Sequence, residues 1–455
     1  MAIKLSQLNH AIGLQTRNDK IIYHLLDDSR KVKANDAYVC TLTSQKGIEY
    51  VKEALHKEAI VYGVYDYQHD HYYQYHHASD LQTLIVTFYQ FNWEHLTVIG
   101  ICGTNGKTST AKMLYENVKN EAMLISTHHV YCKEEHFAIR NTTPNAFELA
   151  YYVQYALNKK CKYLIMEVSS HAIDQKRIFF MRYDFIIYTN ITSDHLDYHL
   201  CRTHYIFTKL KLRYYLKPYG QIVCYDDLPY VSLLINEHCK VISHPKLINQ
   251  NQNGICFEYE GNSYQIPYHT TFQMENAALV LFVLQQLSLD NIAKRMRSLP
   301  IIEGRCETMV LNGIIFLIDY AHSEDGLYQL LKNMHKKDNH KCICVFGCGG
   351  NRDVYKRSKM GEIACQYSDL AIYTSDNPRD ESLHDIIKMM MNHAYFNYEV
   401  IENRYYAIKY AVKYARKDDI IIIAGKGDEK TQEIKGRFYP FFDKQCIKKI
   451  IEEEL

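Results

Sequence analysis

The sequence predicts an α/β protein whose parallel, doubly wound sheets carry ligand sites at their strand ends. Short apolar runs alternate with helical stretches over most of the chain, the pattern of strand–helix–strand units. One run, Leu96–Ile101, breaks at Gly103 and Gly106 and restarts with helical spacing. At 455 residues the chain exceeds one ordinary core and points to roughly three domains.

Apolar residues make up 47% and charged residues 23%, the balance of a soluble globular protein. A net charge of +1 offers no field for nucleic acid or an anionic membrane, so neither is expected as a partner. The start, Met1 to His10, lacks the apolar core of a signal peptide, and no segment approaches a membrane span. A cytoplasmic location is expected. Fourteen Cys lie without a CxxC motif, the tightest group being Cys342, Cys344 and Cys348, and read as reduced packing thiols.

Residues 1–94 form their own unit. Asp28–Cys40 ends in apolar alternation, which returns at Ala59–Tyr65 and Leu81–Phe88, while Lys46–His56 has helical spacing. Short strands with a helix are expected. Gln68–His77, rich in His and Tyr, reads as a solvated loop rather than a metal site.

Residues 95–304 open on Val98-Ile-Gly-Ile-Cys-Gly-Thr-Asn-Gly-Lys-Thr-Ser-Thr110, a buried strand, a glycine-rich turn and a helix N-terminus. Backbone N–H groups and the helix dipole there favour an anion. Gly103, Thr104, Asn105, Gly106 and Ser109 build the turn, Lys107 brings a cation to terminal phosphates, and the Thr108 hydroxyl suits Mg²⁺. The usual spacing places a Gly at 101, where Ile101 stands, so the match is to the variant Gly-Thr-Asn-Gly-Lys-Thr. A nucleoside triphosphate is the expected ligand.

Tyr163–Val168 and Phe185–Tyr188 read as further buried strands; Glu167 lies near the end of the first, and Asp194-His195 follow the second. Ligands of open α/β sheets sit beyond the carboxyl ends of strands. A carboxylate and an imidazole there can hold Mg²⁺ against phosphates.

Residues 305–455 continue the alternation. Ile315–Asp319, Cys342–Phe346, Leu370–Tyr373 and Asp419–Ala424 each run into a polar cluster, predicting a second ligand edge. Arg352 and Arg379 stand out, because an Arg fork binds carboxylate or phosphate through two parallel hydrogen bonds.

With these residues assembled, the chain resembles the Mur ligases across nearly its whole length. The motifs are Asp28-Ser-Arg30, Gly103–Thr108, Asn141-Thr-Thr-Pro144, Glu167-Val-Ser-Ser-His171 with Gln175 and Arg177, and Asp194–His199. Gly304-Arg305, Asp319-Tyr-Ala-His322, Phe346–Asp353 and Asp376-Asn-Pro-Arg379 complete them. The resemblance is greatest to the branch that adds the third amino acid to UDP-MurNAc-L-Ala-D-Glu. It implies a UDP-binding N-terminal domain, a central ATPase domain and a C-terminal Rossmann-like domain. ATP would phosphorylate the acceptor carboxylate, and the incoming amine would attack the acyl phosphate.

Carried over residue by residue, the resemblance gives Lys107 and Thr108 the ATP phosphates and Mg²⁺, and Glu167 and His195 metal binding. Lys209 falls where the family carries a carbamylated lysine, with Lys211 the neighbouring alternative. Lys107, Glu167, His195 and Lys209 would be the catalytic set. Asn276, Arg305 and Asp319 would contact ATP. Ser29, Thr142, Thr143, Ser169, Gln175 and Arg177 would bind the UDP-muramoyl substrate. Asp376 and Arg379 belong to the motif version associated with meso-diaminopimelate, with Arg379 on its distal carboxylate. Arg352, Asn377, Gly425 and Glu429 would complete that pocket, Glu429 suiting the distal ammonium. A monomer is expected. Four positions depart from the family pattern: Asn145, Leu200, Gln273 and Asp428 stand for an acidic residue, Gly, Asn and His. The rival readings are the same ligation with L-lysine, a folate polyglutamate ligase, which leaves Asp28-Ser-Arg30 unexplained, and a non-catalytic nucleotide-dependent switch.

Overall fold

The computed structural model describes residues 2–453 apart from 252, 335–339 and 395–396. The chain begins with β1 (Ile3–Lys4), α1 (Leu5–Ala11), β2 (Ile21–Ile22), β3 (Leu25–Leu26), β4 (Ala37–Val39), α2 (Gln45–His56), β5 (Ile60–Gly63), β6 (Tyr72–Gln74) and α3 (Ala78–Tyr89). Strands β3 to β6 pair in sequence order as a parallel sheet. Helix α2 packs Val51, Ala54 and Leu55 against Tyr38, Val61 and Tyr72 of that sheet.

Two expectations are corrected here. Leu81–Phe88, read as alternating strand, lies inside α3. Its buried residues Leu84, Ile85 and Phe88 recur at helical spacing, and that one face outweighs the β-branched content. The centre of Gln68–His77 is strand β6 rather than loop, because pairing with β5 buries Tyr72 and Tyr73 despite the polar composition.

The middle of the chain holds β7 (Thr97–Cys102), α4 (Lys107–Val118), β8 (Ala122–Ser126), β9 (His129–Cys132), β10 (Glu135–Ala138), α5 (Ala146–Asn158), β11 (Tyr163–Glu167) and α6 (Ser170–Asp174). It continues with β12 (Tyr183–Tyr188), α7 (Leu196–His199), α8 (Arg202–Leu210), β13 (Leu216–Tyr225) and β14 (Cys239–Ile242). The sheet order is β10-β9-β8-β11-β7-β12-β13-β14. β8 and β11 are parallel, as are β13 and β14, while β9 and β10 form an antiparallel margin. An antiparallel meander follows, β15 (Lys246–Asn251), β16 (Gly254–Tyr259) and β17 (Asn262–Ile266), then α9 (Thr271–Gln286) and α10 (Ile292–Arg297).

The remainder comprises β18 (Glu307–Leu311), β19 (Ile314–Asp319), α11 (Glu324–Met334), β20 (Cys342–Phe346), α12 (Tyr355–Tyr367), β21 (Leu370–Tyr373), α13 (Leu383–Met391) and β22 (Tyr398–Val400). After these come α14 (Arg404–Tyr414), β23 (Ile420–Ala424), β24 (Thr431–Ile434), β25 (Arg437–Pro440) and α15 (Asp443–Glu453). The sheet order is β18-β19-β23-β20-β21-β22, parallel from β19 onward. Leu327, Leu330, Met360 and Ile386 of α11 to α13 pack on one face; Ala407, Ile408, Ile447 and Ile450 of α14 and α15 cover the other. Cys342, Cys344 and Cys348 are free thiols inside the first layer, in keeping with their reading as packing residues. The four strands expected to end in polar clusters, β19, β23, β20 and β21, are consecutive neighbours in this sheet.

The chain folds as two compact units: Met1–Gly100 with Val118–Ile186 and Lys211–Gln221, and Ile101–Asn117 with Ile187–Leu210 and Ile222–Leu455. Among the described residues no helix is long and apolar enough to cross a membrane.

Candidate active site

In the second unit the chain leaves β7 through Gly103 and turns at Gly106 into α4. Gly106 has φ +83°, and a Cβ there would lie 2.5 Å from Asn276 Oδ1; at Gly103 a Cβ would collide with Thr189 Oγ1. Only glycine admits both close approaches. The loop is fixed by its neighbours: Thr104 N donates to Asn190 O at 2.8 Å, Asn105 N to Asn190 Oδ1 at 3.0 Å, and Thr189 Oγ1 to Asn105 O at 2.6 Å. Its backbone is held in shape in advance, as a phosphate cradle requires.

Lys107 Nζ donates to Gly103 O at 2.9 Å and Thr104 O at 2.8 Å. Lys209, on α8, donates to the same Gly103 carbonyl at 2.8 Å, with its amine 4.7 Å from the Tyr205 ring centroid. It is 2% exposed, and burial pulls its pKa down towards the neutral amine. Thr108, beside Lys107, has its Oγ1 3.4 Å from Arg305 Nη2. The Arg305 guanidinium lies over Tyr320, 4.1 Å from the ring centroid. Asp319 accepts Cys306 N and Ala321 N, each at 2.7 Å; desolvation raises its pKa against those bonds and the Arg305 charge.

Asp194 gathers three basic side chains, with His195 Nε2 at 3.5 Å, His322 Nε2 at 3.7 Å and Lys356 Nζ at 3.4 Å. Burial opposes its charge, yet Lys356 and the two imidazoles hold the carboxyl well below the usual range.

The strand-end clusters of β20, β21 and β23 meet around Asn377. Its Nδ2 donates to Glu429 Oε2 at 2.8 Å, and its Oδ1 accepts Lys426 Nζ at 3.1 Å and Glu433 N at 2.9 Å. Lys426, fully buried, also donates to Glu429 Oε2 and Thr431 O, both at 2.8 Å. Gly425 has φ +111°, and a Cβ there would lie 2.6 Å from Asp376 Oδ2. Burial pushes the Asp376 carboxyl up, with Lys426 opposing. Arg379, in the left-handed region at φ +51°, pairs Nε with Glu433 Oε2 at 3.0 Å and donates Nη1 to Gly350 O at 2.8 Å. Arg352 is exposed.

In the first unit Glu167 is fully buried at the end of β11. Its Oε1 accepts Ser126 Oγ and, at 3.0 Å, Thr127 N. Thr127 Oγ1 bonds Thr142 Oγ1 at 3.2 Å, and Thr143 Oγ1 donates to Glu167 O at 2.9 Å and lies 3.3 Å from Ser169 Oγ. Arg177 donates to Thr143 O at 3.0 Å and grips Gln175 Oε1 through Nε and Nη2 at 2.9 and 2.6 Å. Thr142, Thr143, Ser169, Gln175 and Arg177 thus form one network with Glu167. Ser29 is bonded elsewhere, donating to Glu53 Oε2 at 2.6 Å.

Three of the four departures from the family pattern have a local role, and Leu200 has none. Asn145 caps α5 by accepting Glu148 N at 3.0 Å and donates to Asp27 at 2.9 Å. Gln273 donates to the Arg305 carbonyl at 3.2 Å. Asp428 lies 4.0 Å from Arg305 Nη2. Leu200 stands at φ +63° with its side chain in solvent, 85% exposed, where glycine would be unstrained. Lys426 and Glu433 escaped sequence reasoning: the first was visible in Gly425–Glu429 but had no assigned role, and the second gains meaning only from its contact with Arg379.

A preformed phosphate cradle on a doubly wound sheet, together with a second cluster of charged strand ends, defines an α/β enzyme that uses a nucleotide. Residues 101–284 match the Mur ligase middle domain and residues 304–427 the Mur ligase glutamate ligase domain. The UDP-N-acetylmuramoyl-L-alanyl-D-glutamate–2,6-diaminopimelate ligase of Clostridium botulinum is 30% identical over 96% of both chains, and that of Oceanobacillus iheyensis 33% identical over 94% of both. A solved structure of a ligase with that same description aligns over 100% of this chain and 99% of its own, with a TM-score of 0.66 at 24% identity. The chain belongs to the Mur ligase family, and it is an ATP-dependent ligase.

Proposed function

We propose that the protein joins meso-diaminopimelate to the D-Glu carboxylate of UDP-MurNAc-L-Ala-D-Glu in peptidoglycan precursor synthesis, in the cytoplasm and as a monomer. The names of its relatives support the substrates. The observation that carries the reading is the strand-end cluster around Asn377, where Arg379 offers a guanidinium and Glu429 and Asp376 offer carboxylates to an incoming diamino acid. Arg352 and Gly425 complete that pocket. The domains proposed are 1–94 for UDP-substrate binding, 95–304 for ATP and 305–455 for the amino acid.

ATP phosphates lie along Gly103–Ser109, with Lys107 turned from the loop carbonyls onto the terminal phosphate; Asn276, Arg305 and Asp319 contact the same nucleotide. Phosphoryl transfer to the D-Glu carboxylate brings two anions together, and Lys107 and Arg305 offset that charge. In the second unit Thr108, His195 and carbamylated Lys209 offer two oxygen donors and an imidazole that suit Mg²⁺, and in the first unit Glu167 is the carboxylate proposed for metal binding. A bound Mg²⁺ would supply charge stabilisation on the phosphoryl oxygens. Burial favours the neutral amine of Lys209, the form that adds CO₂. Ser29, Thr142, Thr143, Ser169, Gln175 and Arg177 hold the UDP-muramoyl substrate. Attack of the amine on the acyl phosphate forms the amide and releases phosphate.

The test is incubation with ATP, Mg²⁺ and UDP-MurNAc-L-Ala-D-Glu, adding meso-diaminopimelate or L-lysine in parallel. The expected result is phosphate release with a tripeptide mass for diaminopimelate. Product with L-lysine alone would overturn the amino-acid assignment, and no product with either would overturn the ligation.

A further inference from the structure

Strands β13 and β14 are parallel neighbours with Tyr225 in register with Ile242, so their carboxyl ends reach the same edge of the sheet. Asp226 and Asp227 follow directly on the first, and His244 comes just beyond the second. Glu275, near the start of α9, faces them. All four residues lie in the second unit, and none belongs to the set proposed for Mg²⁺.

The His244 ring is held from two sides. It stacks on Tyr225, with 4.2 Å between centroids and planes 7° from parallel, and its Nδ1 lies 3.5 Å from Glu275 Oε1. Tyr225 is itself anchored, donating its hydroxyl to the Glu275 carbonyl at 2.7 Å. Nε2 is thereby aimed at both aspartates, 3.8 Å from Asp226 Oδ1 and 3.6 Å from Asp227 Oδ1.

These separations exceed a hydrogen bond, whose N···O distance runs about 2.7–3.2 Å. They match the spacing of ligands around one ion, since bonds of about 2.0–2.2 Å at a tetrahedral centre set donor atoms roughly 3.4 Å apart. One imidazole nitrogen and two carboxylate oxygens all lie within 4.8 Å of one another. Successive side chains of an extended strand point to opposite faces, yet Asp226 and Asp227 converge on a single imidazole. Two carboxylates brought together repel unless a cation joins them. Among the described residues neither forms an ion pair with a Lys or Arg.

We propose that Asp226, Asp227 and His244 form a binding site for one Zn²⁺ ion, with Glu275 positioning the imidazole. A carboxylate on Nδ1 fixes the tautomer that leaves Nε2 unprotonated for a metal. One imidazole with two carboxylates suits a borderline divalent cation. The aspartates, 76% and 72% exposed, leave the fourth position to water. The ion ties the ends of β13 and β14 to α9, next to Asn276, whose side chain abuts Gly106 of the cradle. The site is independent of the proposed ligation.

The test titrates Zn²⁺ by calorimetry into the full chain, free of any affinity tag and stripped with EDTA, in millimolar Mg²⁺ without ATP. Fourteen thiols can also take Zn²⁺, so the site is defined by the equivalent that depends on His244. The parent is expected to bind that equivalent with micromolar or tighter affinity and to gain thermal stability from it. His244→Ala and the double variant Asp226→Asn, Asp227→Asn are expected to lose it, while His195→Ala keeps it. Glu275→Gln is expected to weaken it about tenfold or more. Circular dichroism checks that each variant is folded. Binding that persists in folded His244→Ala, or that appears in the parent only at millimolar Zn²⁺ as an adventitious ion, would overturn the site and leave the ligation standing. Parent affinity in Glu275→Gln would overturn the positioning role.

Discussion

The amine of Lys209 donates to the carbonyl of Gly103 across 2.8 Å, tying α8 to the first residue of the phosphate cradle. A long flexible amine is thereby held dry beside the Gly103–Thr108 turn. Lys209→Met keeps the bulk and apolar stem but removes the nitrogen. It is expected to lower ligation by about 100-fold or more, the scale of losing one aligned charge-stabilising group, with the melting temperature nearly unchanged. Phosphate release together with a thermal melt checks both halves.

Leu200 is a second local test. Its left-handed backbone costs a branched residue about 1 kcal/mol, and an 85% exposed side chain has little packing to lose. Leu200→Gly is expected to raise stability by a few tenths to about 1 kcal/mol, since the added unfolded-state freedom of glycine offsets part of the relief. Denaturant midpoints of the two proteins measure it.

Arg404 and Asp443 form a bidentate pair with both side chains at 0% exposure, and Arg404 Nη2 also donates to the Ala424 carbonyl at 2.9 Å. Asp443→Asn strands a buried guanidinium beside Ala424, the last residue of β23. The expected cost is about 4 kcal/mol, read as a lower thermal midpoint.

Acid should weaken the Arg357–Glu381 pair. Hydrogen bonds from Arg357, at 2.7 and 2.9 Å, hold the Glu381 carboxyl below its usual value. Its folded pKa lies under the unfolded one, so its contribution to stability is complete above the ordinary glutamate value of about 4.3 and disappears as pH falls through the folded value. Glu381→Gln is expected to cost about 2 kcal/mol near neutrality and to flatten this part of the acid profile. Thermal midpoints from pH 6 to about pH 2.5 would show the two curves converging.

Much of this was legible in the chain because the chemistry is local. The cradle occupies six consecutive residues, Gly103 to Thr108, and a strand followed by glycines and Lys-Thr has few other uses. The four apolar runs from Ile315 to Ala424 are neighbouring parallel strands because each is apolar throughout and flanked by a helix. Residues 81–88 misled because Leu84, Ile85, Val86 and Thr87 mix β-branched content with a spacing that also fits a helix. Tyr72–Gln74 misled because tertiary pairing, absent from composition, decides whether a tyrosine is buried. Glu433 could not be found at all: its partner lies 54 positions away and is fixed by hairpin register.

The position of β23 between β19 and β20 has a consequence for how the molecule is made. During synthesis β19 and β20 emerge first but cannot become neighbours, since the space between them is reserved for a strand that starts only at Ile420. Until that strand is made, the facing edges of β19 and β20 lack their native partner. The middle of the sheet, and with it the final spacing of the polar strand ends on either side, depends on a strand made late in the chain. A ribosome stalled before residue 420 would hold a chain with Gly103–Thr108 fully translated and the strand between β19 and β20, with Gly425 to Glu429 behind it, still to come.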